Sequence, residues 1–191
     1  MIPLVIDPNR VDLALVGRGE LAIRRLQWLR EGGADRVGIY TDLPSAELVD
    51  AAGVALHRRL PAPAEIAGLH VLWIADLPEA EAARLAGIAR SVGTLVNVED
   101  WRTWCDFHSP ALVRRGDLLL AVSTNGKSPG LAARIRRHLA ESFGPEWAER
   151  LDRLAAKRTA WRRRPRRLDE LADLTDAAID RQGWLARGEP S

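Results

Sequence analysis

Short apolar runs punctuate the first hundred residues, and polar, glycine-rich or helically patterned stretches separate them. The runs are VDLALV at 11–16, VGIYT at 37–41, a short one at 54–57, LHVLWIA at 69–75 and TLVNV at 94–98. They are continuously apolar instead of alternating, the pattern of strands covered on both faces, so they predict a parallel sheet. Leu21, Ile23, Leu26 and Leu29 recur at helical intervals in 20–31, as do Leu77, Ala82, Leu85, Ile88 and Ala89 across 78–91. Strands alternating with amphipathic crossovers give βαβαβ order, hence an α/β, Rossmann-like parallel sheet over 1–110. A further apolar run, LLLAVST at 118–124, a turn NGKSPG and a basic helix from Pro129 to Phe143 form a small α+β segment over 111–145. Residues 146–191 read as a helical C-terminal region, interrupted by RRRPRR at 162–167.

Composition narrows the function classes. At 191 residues and 47% hydrophobic content the chain can bury a sizeable core. No apolar run approaches the roughly 20 residues that span a bilayer. The start MIPLVIDPNR lacks the basic, long-apolar form of a signal peptide, so the expected location is the cytoplasm, with no membrane partner. Cys105 is the only cysteine, which excludes an internal disulfide and a cysteine-built zinc site. His57, His70, His108 and His138 are scattered without ligand spacing. The net charge of +2 conceals an asymmetry. Residues 1–110 carry 11 arginines against 15 acids, a net of −4, and residues 111–191 carry 17 cations against 11 acids, a net of +6. The second part is the one suited to anions, although a GC-rich genome would also favour arginine over lysine.

The first chemical signal follows the first strand. Gly17-Arg18-Gly19-Glu20-Leu21-Ala22 is a G-x-G-x-x-A turn leading into a helix, the dinucleotide fingerprint. Gly17 allows the tight turn, Gly19 lets a pyrophosphate approach the backbone, and Ala22 is small enough for close helix–strand packing. Any α/β protein can also carry such a turn. Asp42 lies twenty residues past Ala22, at the end of the second strand, where an acid binds the ribose hydroxyls of NAD. Its charge would repel a 2′-phosphate and so favours NAD over NADP. Asp42 also reads as a solvated turn residue before Pro44. Ser128-Pro129 is a helix N-cap signal, and Gly126 and Lys127 before it suit an anion.

Three separated motifs, in order and spacing over 1–145, resemble the siroheme synthase N-terminal domain family, the precorrin-2 dehydrogenase / sirohydrochlorin ferrochelatase proteins. That family has a GGG-x-V-A-x-R-K turn after its first strand. A VNVVDD-like strand end before C-x-F-x-x-P-A matches Asn97-Val98-Glu99-Asp100 and the stretch from Cys105 to Ala111. A strand A-[IV]-S-T-x-G-x-[SA]-P leads into L-A-R-x-[IL]-R, as in AVSTNGKSPGLAARIR. The resemblance implies cofactor contacts at Gly17, Arg18, Gly19, Glu20, Leu21, Asp42 and Leu43. It adds Ala75 and Asp76, where the family has an A-A-T run. Asp100 matches the family's essential aspartate, and Ser128 matches a serine beside the substrate. Arg18 replaces the family's middle glycine, and Asp76 its threonine.

The activity this implies is NAD-dependent oxidation of precorrin-2 to sirohydrochlorin, with insertion of a ferrous or cobalt ion into the product as a second step, carried out by an intertwined homodimer built on 111–145. Precorrin-2 bears eight carboxylates, so Lys127, Ser128, Arg114 and Arg134 become substrate-binding candidates, with a solvated basic face as the plain alternative. Asp100 at a strand end could move a proton, or cap the segment before Trp101. With no histidine or cysteine cluster to hold iron, any chelation would use the macrocycle's own nitrogens, so the dehydrogenase is the stronger expectation. A competing reading is a non-enzymatic module whose RTAWRRRPRR stretch, 158–167, meets nucleic acid or an acidic partner.

Overall fold

The computed structural model describes residues 2–165 and 167–185. Its compact units are Met1–Ser109 and Pro110–Ser191. In the first, β1 (Leu13–Gly17), β2 (Gly38–Tyr40), β3 (Leu56–His57), β4 (Val71–Ala75) and β5 (Leu95–Val98) form a parallel sheet in the order β3-β2-β1-β4-β5. Helices α1 (Gly19–Glu31), α2 (Ala46–Ala52), α3 (Pro63–Ala67) and α4 (Glu79–Ser91) are the crossovers. The expected runs at 11–16, 37–41, 54–57, 69–75 and 94–98 are all strands, each offset or trimmed by a few residues at its ends, where hydrogen-bonding partners run out.

The continuously apolar strands serve two cores. Leu13 and Leu15 of β1, with Val71 and Trp73 of β4, pack under Ala22, Leu26 and Leu29 of α1. The alternate residues Ala14, Val16, Leu72 and Ile74 pack under Ala82, Leu85, Ala86 and Ala89 of α4. Period-two alternation thus sends successive side chains to opposite helix layers, which is why β1 and β4 carry almost only apolar residues. The strand order reverses between β1 and β4, so α1 and α4 leave the sheet on opposite faces. The crevice beyond the carboxyl ends of these two strands is where open α/β sheets bind ligands.

In the second unit β6 (Ala111–Arg115) and β7 (Leu118–Val122) pair antiparallel, and Gly116-Asp117 closes the hairpin. Gly116 has φ +57°, the left-handed conformation a two-residue loop needs. The sequence pattern predicts only the strand at 118–124. The hairpin partner at 111–115 is an addition, because ALVRR is too short and too basic to stand out from a loop. Helices α5 (Pro129–Ser142), α6 (Trp147–Trp161) and α7 (Leu168–Gln182) complete the unit, and α5 packs on both strands while α6 packs on β7. Segments 111–145 and 146–191 therefore share one unit. Arg115 fastens it by donating from Nε to the Phe143 carbonyl at 2.7 Å and from its terminal nitrogen to that of Ala140 at 3.1 Å. Within RRRPRR, residues 162–164 form the turn that ends α6.

Candidate functional site

The glycine turn joins β1 to α1. A Cβ on Gly17 would collide with the Ala75 carbonyl oxygen and the Ala22 methyl, so close approach of β1, β4 and α1 requires glycine there. Gly19 has φ +57°, and a Cβ on it would meet the Asp76 carboxylate. The Arg18 amide donates to Ala75 O at 3.2 Å, locking the turn to β4. Arg18 is also the N-cap of α1, and its side chain caps nothing, which leaves the first-turn amides of a 13-residue helix without a side-chain acceptor. The uncapped helix start suits the pyrophosphate of a nicotinamide dinucleotide, which would have to displace the Asp76 carboxylate that lies against Gly19. Among the neighbours of the turn, Glu20 is exposed and paired with Arg24 at 2.6 Å, and Leu21 is half-buried against the core.

Asp42 follows β2, at the same end of the sheet. Its two carboxylate oxygens accept from Arg18, Nε to Oδ1 at 2.8 Å and a terminal nitrogen to Oδ2 at 2.5 Å, and that nitrogen also reaches Glu81 of α4 at 3.1 Å. The fork holds the Asp42 carboxyl below the usual carboxylate range and raises the Arg18 guanidinium further. Sequence reasoning placed Arg18 and Asp42 in the site separately and missed Glu81, which reads as a routine acid in a helix first turn. Leu43 is exposed, and its amide donates to Thr41 Oγ1 at 3.3 Å.

At the ends of β4 and β5 stand Asp76 and Asp100, with φ 56° and 66°. A left-handed backbone is unusual for any residue but glycine, although aspartate tolerates it better than most. Both line a cavity of about 110 Å³ together with Leu21, Ile74, Leu77 and Trp101. Neither carboxylate hydrogen-bonds to another described side chain. Glu99, adjacent to Asp100, is engaged instead: Arg25 of α1 donates to its Oε2 at 2.6 and 3.1 Å and to Ser109 Oγ at 2.9 Å. The neighbours are thereby divided into one tethered acid and one free acid. Trp101 stacks on Trp104 with ring centroids 5.2 Å apart. Cys105 lies beneath, accepting from Val98 N at 3.3 Å, and burial pushes its thiol up, away from reactive thiolate character.

The remaining candidates belong to the second unit. Ser128 caps α5, its Oγ accepting from Leu131 N at 3.2 Å, and Thr124 Oγ1 clamps the Ser128 amide and carbonyl. Lys127 is exposed in the turn after Asn125 and Gly126, both at positive φ. Arg114 on β6 and Arg134 on α5 are exposed. The structure thus gathers the cofactor candidates and Asp100 in the first unit, and the proposed carboxylate-binding residues in the second. Among the described residues, no group of three or more histidine, cysteine or acidic side chains is arranged for a metal ion, and no helix is long and apolar enough to cross a membrane.

A family model described as "Putative NAD(P)-binding" matches residues 4–111, and one described as sirohaem biosynthesis protein central matches residues 115–142. The chain is 33% identical over 157 residues to a siroheme synthase of Methylococcus capsulatus, which covers 81% of this chain and 33% of the relative. It is 37% identical over 158 residues to one of Chromobacterium violaceum, again 81% and 33%. The chain therefore spans about a third of the length of the curated relatives it matches. The solved structure of SirC, precorrin-2 dehydrogenase, superposes with a TM-score of 0.74 at 24% identity, covering 97% of this chain and 93% of that one, which shows a shared fold.

Proposed function

The chain belongs to the NAD(P)-binding family whose model spans its first unit, and from that premise we propose that it is a dehydrogenase oxidising precorrin-2 to sirohydrochlorin with NAD as acceptor. The substrate comes from the siroheme synthase relatives and from the precorrin-2 dehydrogenase that shares the fold. NAD is preferred to NADP because the ribose end of the site carries the carboxylate of Asp42.

When bound, NAD takes up the hydride, and the chain's own residues do the rest. The α1 N-terminus and the Gly17–Gly19 backbone hold the pyrophosphate, with the Asp76 carboxylate turned away from Gly19. Asp76 and Ala75 border the nicotinamide end. Asp100 accepts the proton that the oxidation releases, so the substrate loses a hydride and a proton and gains a double bond. The observation that carries this reading is the free carboxylate of Asp100 on the lip of a cavity that also reaches Leu21 beyond the glycine turn. Stacked Trp101 and Trp104 offer a flat apolar wall beside it, matched to a planar macrocycle. Arg114, Arg134, Lys127 and the Ser128 cap would receive the substrate's carboxylates in a homodimer formed through the second unit. A ferrous or cobalt ion would enter as a second substrate, coordinated by the macrocycle nitrogens with Asp100 taking pyrrole protons. The proposed setting is the cytoplasm. The relatives named above are described as siroheme synthases and a precorrin-2 dehydrogenase, which gives the nucleic-acid reading no support.

Incubation with precorrin-2 and NAD, following reduced nicotinamide and the macrocycle spectrum together, tests the proposal. Stoichiometric reduction of NAD with appearance of sirohydrochlorin is expected, and an unchanged spectrum overturns it. Addition of ferrous iron afterwards separates dehydrogenation from chelation.

A further inference from the structure

The ribose end of the cofactor site is not a bare aspartate. Both oxygens of Asp42 already accept from Arg18, and the same guanidinium bridges to Glu81. A ribose diol seeking Asp42 must therefore displace a bidentate, charge-assisted fork, one of the stronger polar contacts a protein makes. The second terminal nitrogen of Arg18 has no acceptor among the described residues and remains able to donate. Its side chain is 20% exposed, accessible to a ligand while partly shielded from water.

The neighbouring strand adds charge of the same sign. Tyr40 of β2 is level with His57 of β3, Thr41 N donates to His57 O at 3.0 Å, and Arg58 and Arg59 follow in a bend just past the end of β3. Arg59 is consumed by Glu65, at 2.6 and 2.7 Å. Arg58 has no acidic partner among the described residues. Arg18 thus serves two acids, Asp42 and Glu81, and the charge that repels a 2′-phosphate at Asp42 is reduced.

We propose that Arg18 is the specificity-determining residue of this cofactor site: by forking onto Asp42 it weakens the grip on the NAD ribose and supplies a donor for a 2′-phosphate, so the protein discriminates only weakly between NAD and NADP. The inference rests on the nicotinamide-cofactor reading above. NAD remains the preferred ligand, since Arg18 is shared with two carboxylates. Removing the guanidinium acts on the two ligands in opposite directions. NAD gains an unoccupied Asp42, and NADP loses its counter-charge and meets that same naked carboxylate.

Calorimetric titration of the full chain with NAD and with NADP, for wild type, Arg18→Ala and Arg18→Gln, decides it. Wild type should bind both with affinities within about tenfold, and both variants should widen the preference for NAD by a further factor of about ten to a hundred, the range of one charged hydrogen bond. A melting curve for each variant verifies that it is folded, and the glutamine retains side-chain bulk without the charge. NAD binding with a preference that neither variant moves overturns the inference and leaves the cofactor reading intact. So does wild type rejecting NADP outright. Failure of wild type to bind either nucleotide overturns both.

Discussion

In β1 and β4 every position is buried, whereas β6 and β7 together bury only Val113. The parallel sheet brings its own cover, because each crossover helix lies on a face and α1 and α4 close opposite sides. The hairpin has no crossover. Helices α5 and α6 reach it from outside the strand sequence and leave Leu112, Leu118, Leu119 and Leu120 half-buried. Net charge leans the same way, negative over 1–110 and positive over 111–191. The difference teaches that the first unit covers its own sheet, while the second leaves apolar and basic surface exposed, the surface on which the proposed dimer and substrate contacts rest.

The largest expected effect tests that division of labour. Asp100→Ala should lose about 10²- to 10⁴-fold in turnover with precorrin-2 while NAD binding holds. Ser128→Ala in the second unit should cost about 1 kcal/mol of stability from the lost cap and raise KM more than it lowers kcat. If Asp100→Ala turns over within a few-fold of wild type, the aspartate merely shapes its turn, and the chemical role of the first unit shrinks to holding the cofactor.

Next in size is the contrast in burial. Leu15 is fully buried, and Leu15→Ala should destabilise by about 2–5 kcal/mol. Leu120→Ala should cost less in dilute protein, and its penalty should grow with concentration as a dimer covers the hairpin. Sedimentation should give twice the chain mass of 21.1 kDa at micromolar concentration. A monomer there, with equal penalties at the two leucines, would break the comparison.

The smallest effect lies on the rim of the first unit. The Arg59 fork, with help from Ala62 N, holds Glu65 down to about 2 from an ordinary 4.5. A carboxyl depressed in the folded state stabilises above its unfolded value, and that stabilisation fades as pH falls toward the folded one. Melting curves of wild type and Glu65→Gln should therefore differ above pH 4.5 and converge near pH 2. A gap that persists unchanged at pH 2 would remove the charge explanation.

Much of this architecture is written in short-range pattern. Apolar runs, helical spacing, the G-x-G-x-x-A turn and the Ser128-Pro129 cap are each decided within one or two turns of chain, and each appears where its pattern stands. The extra strand β6 was not legible, because five residues with two arginines carry no period of their own until β7 supplies hydrogen bonds. Nor was the division between Glu99 and Asp100. Adjacency in sequence hides that Arg25, 74 residues away, claims one carboxylate and leaves the other free.

The sequence by itself determined the parallel sheet, its crossover order and the glycine turn, since steric periodicity and backbone freedom are local properties of the chain. The tertiary structure alone decided which charges meet. Arg18 finds Asp42 across 24 residues and Glu81 across 63. Ion pairs form between groups that the sheet order and the two crossovers bring to one edge, and an attraction that falls with distance through space takes no account of separation along the chain.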